Sequence, residues 1–235
     1  MKRATPARLD VGRAGPRYTT DAMLAFRADH ARAVDAVRNE PPADWAKHHG
    51  LMEVHSQADS REAYLLRPEL GRRLSSADAA RVKRLRTPAG KLPSLMICIG
   101  DGLSCAAVEA HGPALLHALQ NRIRGRYRVI APSLFIRNAR VRIQDHIGEI
   151  VRPDVIVMII GERPGLATAE SLSAYVIWRP RLRSAEPDRT VISNIHPGGI
   201  RIAQAAGKIA QLVADAVENQ ASGAVLSARL AAKSG

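Results

Sequence analysis

Residues 154–175 read DVIVMIIGERPGLATAESLSAY. Val155 to Ile160 is an unbroken apolar run, and it stops at Gly161-Glu162-Arg163-Pro164-Gly165. A run of strand length without polar alternation marks a strand buried on both faces, because one wet face would show a polar side chain at every second position. Further strand candidates lie on both sides: "SLMICIG" (94–100), "RVIAPSLFI" (128–136), "AYVIW" (174–178) and "TVISNI" (190–195). Between them come residues 103–120, read as one or two helices interrupted at Gly112-Pro113, and the amphipathic "VRIQDHIGEIV" (141–151). A final Ala-rich helix runs from about Ile202 to Asn219. Strands and helices in this order predict an α/β fold over residues 93–235, a Rossmann-like, mostly parallel sheet covered on both faces.

Residues 1–92 read differently. Thr19 or Thr20 can cap a helix through "DAMLAFRADHARAVDAV" (21–37), in which Met23, Phe26, Val34 and Val37 share a stripe, and Pro41-Pro42 ends it. A basic, mostly helical run follows from Ser76 to Arg86, closed by "TPAGKLPS". This predicts a smaller helical N-terminal region with little β pattern ahead of the sheet domain.

Aromatic residues make up only 3% of the chain, so Ala, Val, Leu and Ile must build the core. No apolar run approaches the roughly 18 residues of a membrane span. The basic N-terminus lacks the apolar centre of a secretory signal, and Cys98 and Cys105 have neither disulfide-framework nor metal-site spacing. The expected location is the cytoplasm. A net charge of +13 raises the question of nucleic acid. The arginines are scattered, however, and no RNP-like aromatic stretch, zinc-finger spacing or helix-turn-helix aims them; a solvated basic surface or an anionic partner subunit accounts for the charge.

In sheets of this type a ligand sits beyond the carboxyl ends of the strands. The unusual loops fall there: "GDGLS" after the first strand, "GERPG" after the third and "SNIHPGG" after the fifth. Glycines let the backbone approach a ligand while Glu162 and Arg163 stand at the rim, as ligand contacts or as a salt bridge between loops. "IGDGLS" is not a dinucleotide fingerprint, and no phosphate-loop lysine motif, GxSxG elbow or HExxH pair is present. His48-His49 read as exposed or capping, His146 as exposed or packed and His196 as loop-stabilising, rather than as metal ligands. No catalytic constellation is complete within the chain.

Eight stretches in order, "GRAGPR" (12–17), "FRADHARAVDAV" (26–37), "YLLRPELGRRL" (64–74), "DGLS" (101–104), "RVRIQDHIGEI" (140–150), "GERPGL" (161–166), "ESLSAY" (170–175) and "DRTVISNIHPGG" (188–199), resemble the small subunit of ethanolamine ammonia-lyase. That resemblance implies an adenosylcobalamin-dependent lyase converting ethanolamine to acetaldehyde and ammonia. In it a TIM-barrel large subunit holds the substrate and most catalytic residues, and the small subunit helps enclose the corrinoid at the interface. By motif, the implied coenzyme contacts are Val141, Glu162 and Val191, with Phe135, Arg163 and the Asp101-Gly102 turn as neighbours. Some relatives have Cys where Val191 stands, which leaves only a backbone contact here. "QDHIGE" lacks the Asp-x-His-x-x-Gly spacing, so the resemblance implies a base-on cofactor and no cobalt ligation by His146. Docking on the large subunit would occupy the N-terminal region, and the excess positive charge would guide that association. About eleven residues precede "GRAGPR", shorter than the extension that relatives use for microcompartment packaging, so targeting of that kind is not expected. Two other classes stay open: a basic nucleotide- or nucleic-acid-binding module, and a stand-alone hydrolase using Asp101 and Glu162 as a carboxylate pair.

Overall fold

The computed structural model describes residues 11–85 and 87–234. Residues 1–10, within the basic N-terminal stretch, lie outside the described residues, as do Arg86 and Gly235. The described residues begin with a short hairpin, β1 (Arg13–Ala14) and β2 (Arg17–Tyr18), then α1 (Thr20–Arg38), α2 (Trp45–His48), β3 (Met52–His55), α3 (Arg61–Leu66) and α4 (Ser76–Val82). It continues through β4 (Ser94–Gly100), α5 (Cys105–Ile123), β5 (Arg128–Arg137), α6 (Ile143–Val151) and β6 (Val155–Gly161). The last elements are β7 (Leu172–Trp178), β8 (Arg189–Ile195), α7 (Ile202–Asn219) and α8 (Gly223–Ser234).

Six strands form one sheet in the order β3-β5-β4-β6-β7-β8. The pairings among β3, β5, β4 and β6 are parallel, and β6-β7 and β7-β8 are antiparallel. Only β7 therefore runs against the rest. The reason is in the connections: α5 and α6 carry the chain back for the next parallel strand, whereas 162–171 and 179–188 hold no α-helix and return it directly. The ends of β4, β6 and β8 and the start of β7 thus share one rim.

Alternation through the sheet plane explains the continuous apolar runs. Leu95, Ile97 and Ile99 of β4 join Leu115 and Leu119 of α5 and Ile209 and Val213 of α7 in one core layer. Met96 and Cys98 point the other way, to Ile143 and Ile147 of α6 and Val82 of α4. Each large side chain buried this way contributes roughly 1.5–3 kcal/mol of transfer free energy. β5 tolerates Pro132 because its register with β4 slips between Met96 and Cys98, leaving Ala131 and Pro132 outside the ladder and exposed.

Three expectations are corrected. α5 runs unbroken past Gly112-Pro113, since its packed face (Val108, Leu115, Leu119) outweighs the hydrogen bond that Pro113 cannot donate. The N-terminal region is not helical throughout: β3 pairs with β5 from Met52↔Leu134 to His55↔Arg137. Arg137 clamps this edge, donating to Glu53 Oε1 at 2.9 Å and to the carbonyl oxygens of Pro41 and Pro42 at 2.8 Å. The α1 stripe is also divided. Thr19 caps the helix as read, accepting from the Ala22 amide at 3.4 Å. Val34 and Val37 are half-buried, but Met23 is 41%, Leu24 57% and Phe26 46% exposed.

Candidate functional site

At the rim, the turn after β4 and the end of β6 are locked together through two glycines. Gly102 has φ +60°, and a Cβ there would stand 2.2 Å from the Gly161 carbonyl oxygen. A Cβ on Gly161 would stand 2.1 Å from the Ser104 carbonyl oxygen. The close approach lets the Leu103 amide donate to the Gly161 carbonyl at 3.0 Å. Beyond this contact opens a cleft of about 360 Å³ whose wall includes Gly102, Val141, Glu162, Arg163, Tyr175 and Val191.

Glu162 is half-buried, and its carboxylate is held from both sides. Its Oε1 accepts from the Ser173 hydroxyl and, at 3.0 Å, from the Asn194 amide. The second oxygen, Oε2, has no hydrogen-bond donor among the described residues. Burial, then the nearby charge of Glu162, raises the Tyr175 hydroxyl above its ordinary range, so that group keeps its proton. Val141 is half-buried and Val191 is 46% exposed, giving the cleft two apolar flanks. The register places Val191 directly opposite Tyr175. The arrangement presents one oriented acceptor between apolar walls, suited to amide N–H groups at the edge of a large ligand.

Behind the cleft lies a buried charge network. Asp101, 1% exposed, accepts from the Asn138 and Ala139 amides at 2.8 and 3.0 Å and pairs with Arg61 at 3.4 Å. Burial raises its pKa, opposed by Arg61 and by these amides. Arg61 Nε also donates to the Val37 carbonyl at 2.7 Å, which fastens the end of α1 to the rim. Tyr64 donates to the Ala139 carbonyl at 2.9 Å, with Arg140 4.2 Å above its ring. Asp101 therefore shapes the segment leading into Val141 without lining the cleft.

Of the residues singled out in the sequence, five meet in the cleft: Gly102, Val141, Glu162, Arg163 and Val191. Phe135 does not. Its side chain is fully buried and stacks on Trp45 at 4.8 Å, in the core layer that holds α5. Nor do Asp101 and Glu162 form a carboxylate pair, because the lone pairs of Asp101 are committed to backbone amides and Arg61. Glu162 and Arg163 make no ion pair among the described residues, which removes the salt-bridge alternative. His146 is packed as read: its Nδ1 accepts from the Leu74 amide at 3.0 Å, and burial, then Arg73, lowers its pKa. His196 bonds Asn194 at 2.7 Å and accepts from the Gly198 amide at 3.1 Å, stabilising its loop. Sequence reasoning missed Ser173, Tyr175 and Arg140. The signal for the first two was present: Ser173 and Tyr175 alternate within an apolar strand and therefore share a face.

Fold and cleft define an α/β subunit with a ligand-facing sheet end and, among the described residues, no cluster of three or more acidic, His or Cys side chains able to hold a metal. The chain belongs to the family described as ethanolamine ammonia-lyase light chain (EutC), whose family model matches residues 1–227. It is 41% identical over 223 residues to the ethanolamine ammonia-lyase small subunit of Clostridioides difficile (strain 630), a match covering 95% of this chain and 75% of that protein. It is accordingly an ammonia-lyase subunit.

Proposed function

We propose that this chain pairs with a TIM-barrel large subunit in the cytoplasm to form an ethanolamine ammonia-lyase, and that its rim cleft borders adenosylcobalamin at the subunit interface. The observation carrying this reading is Glu162: a carboxylate oriented through one oxygen, in the wall of a cleft flanked by Val141 and Val191. The donor set suits the edge of a corrin, which offers amide N–H groups and apolar methyls. A volume of about 360 Å³ takes only part of so large a group, so the remainder must lie against another surface. That surface is the large subunit in this reading, and the exposed Met23 and Leu24 of α1 and Tyr18 of β2 supply apolar area for docking it. Two free, buried cysteines suit a reducing compartment, and no described helix is long and apolar enough to cross a membrane.

When bound, adenosylcobalamin supplies the radical chemistry that turns ethanolamine into acetaldehyde and ammonia. The chain's own part is to bind and orient: Glu162 accepts amide hydrogens, Tyr175 stays protonated beside it, Val141 and Val191 exclude water, and Asp101 holds the segment carrying Val141. Acetaldehyde release should require both subunits, and Glu162→Ala should weaken coenzyme binding by about tenfold or more, the worth of a charge-assisted hydrogen bond. Unchanged coenzyme affinity in that variant would remove Glu162 from the interface.

A further inference from the structure

Arg38, Arg140 and Arg163 line a second cavity of about 580 Å³ between α1 and the loop after β6, with His30 also in its wall and no Asp or Glu. The rest of the lining is mainly apolar, with Val34, Val37 and Leu103. Arg38 and Arg163 are exposed, and neither has a hydrogen-bonding or ion-pair partner among the described residues. Arg140 is held in place by the Tyr64 ring and by donation to the Tyr64 carbonyl at 3.3 Å, yet its buried Nε has no partner. Several arginines elsewhere are paired with acids: Arg61 with Asp101, Arg137 with Glu53, Arg189 with Asp145. This concavity gathers three guanidinium groups with no Asp or Glu in its wall, an arrangement that repels itself until an anion enters. Guanidinium forks match the paired oxygens of a phosphate better than a point charge does.

The cavity adjoins the rim cleft, since Leu103, Arg140 and Arg163 line both. A ligand bordering Glu162 can therefore extend into it. We infer that the Arg38, Arg140 and Arg163 cavity receives the phosphate diester of the coenzyme's nucleotide tail; this rests on the reading that the rim cleft borders adenosylcobalamin. Within that group the phosphodiester is the one anionic function, and the rest of its periphery is amide and methyl. Val141 and Glu162 hold the corrin edge, and the arginines hold the charge.

The test compares three ligands on the assembled two-subunit complex: adenosylcobalamin, adenosylcobinamide phosphate, and adenosylcobinamide, which lacks the phosphate. Affinity is read from the corrin absorbance on titration. Arg38→Gln, on an exposed side chain outside the rim cleft, should weaken the two phosphate-bearing ligands by about tenfold and leave adenosylcobinamide unchanged, and Arg163→Gln should weaken those two more than adenosylcobinamide. Equal weakening of all three, or of none, overturns the inference. If Glu162→Ala weakens all three while the arginine variants weaken none, the cleft reading stands and only the phosphate assignment falls. A wild-type complex that binds none of the three removes both.

Discussion

The turn after β4 and the loop after β6 meet at one end of the sheet, and each sets a glycine beside an acid. Asp101 is buried, and backbone amides and Arg61 occupy its oxygens. Glu162, on the neighbouring loop, spends one oxygen on Ser173 and Asn194 and leaves the other without a donor among the described residues, in the wall of the cleft. The same chemical group is scaffold in one loop and contact in the other. What separates them is where the lone pairs are already committed, and that follows from the depth at which each loop leaves the sheet.

Substitutions at the glycines should break the comparison most severely, because both acids depend on the same backbone junction. Gly161→Ala forces a Cβ against the Ser104 carbonyl, and Gly102→Ala adds a positive φ to its clash with Gly161. Each should cost more than about 3 kcal/mol of stability, read from the urea midpoint. A cost below about 1 kcal/mol would mean the two loops are not rigidly joined.

Asp101→Ala comes next. It strands the buried Arg61 and two amides, and should destabilise by about 3 kcal/mol. Glu162→Ala should cost less than about 1 kcal/mol, since the freed donors lie near solvent, and its effect should fall on coenzyme affinity instead. Equal losses in the two unfolding curves would erase the distinction between scaffold and contact.

The last effect is one of pH, at the opposite end of the sheet. Burial alone would raise Asp154, but the Ser94 amide and the Arg179 and Ser94 side chains more than offset it, and its pKa falls below the ordinary 3.8. Its stabilising contribution is therefore present above that value and is lost as pH falls through the lower folded pKa. Asp101 is raised, so its contribution has the reverse sign: present at low pH and lost as pH rises through its folded value. Asp154→Asn should cost about 1 kcal/mol near neutrality and nothing at the acid end, whereas a constant difference across the range would show the pair with Arg179 to be inert.

The sheet was legible wherever burial on two faces left a continuous apolar run, as at Leu95–Ile99 and Val155–Ile160. It was not legible at β3, where Met52-Glu53-Val54-His55 alternates over only four residues at a sheet edge. Strand direction was half-legible. The helices between β4 and β6 imply parallel pairing, but the antiparallel return of β7 rests on the absence of any α-helix in 162–171. Gly102, Glu162 and Arg163 could be placed at the rim from their loops. Ser173 and Tyr175 could be read as sharing a strand face but not placed in the cleft, because which face meets it depends on the neighbouring elements.

By itself the sequence determined the α/β class, the rim loops and the residues that carry the family resemblance, because apolar runs, glycines and motif spacing are local properties of the chain. Tertiary structure alone decided which of those residues meet. Phe135 lies in a strand next to the rim strands yet packs inward on Trp45, Asp101 turns into the core, and Arg38 comes from a helix far away in sequence to stand beside Arg140 and Arg163. Those outcomes depend on which face of the sheet a helix covers and how deep each loop sits. Both are set by packing between segments distant in the chain, and no short stretch encodes them.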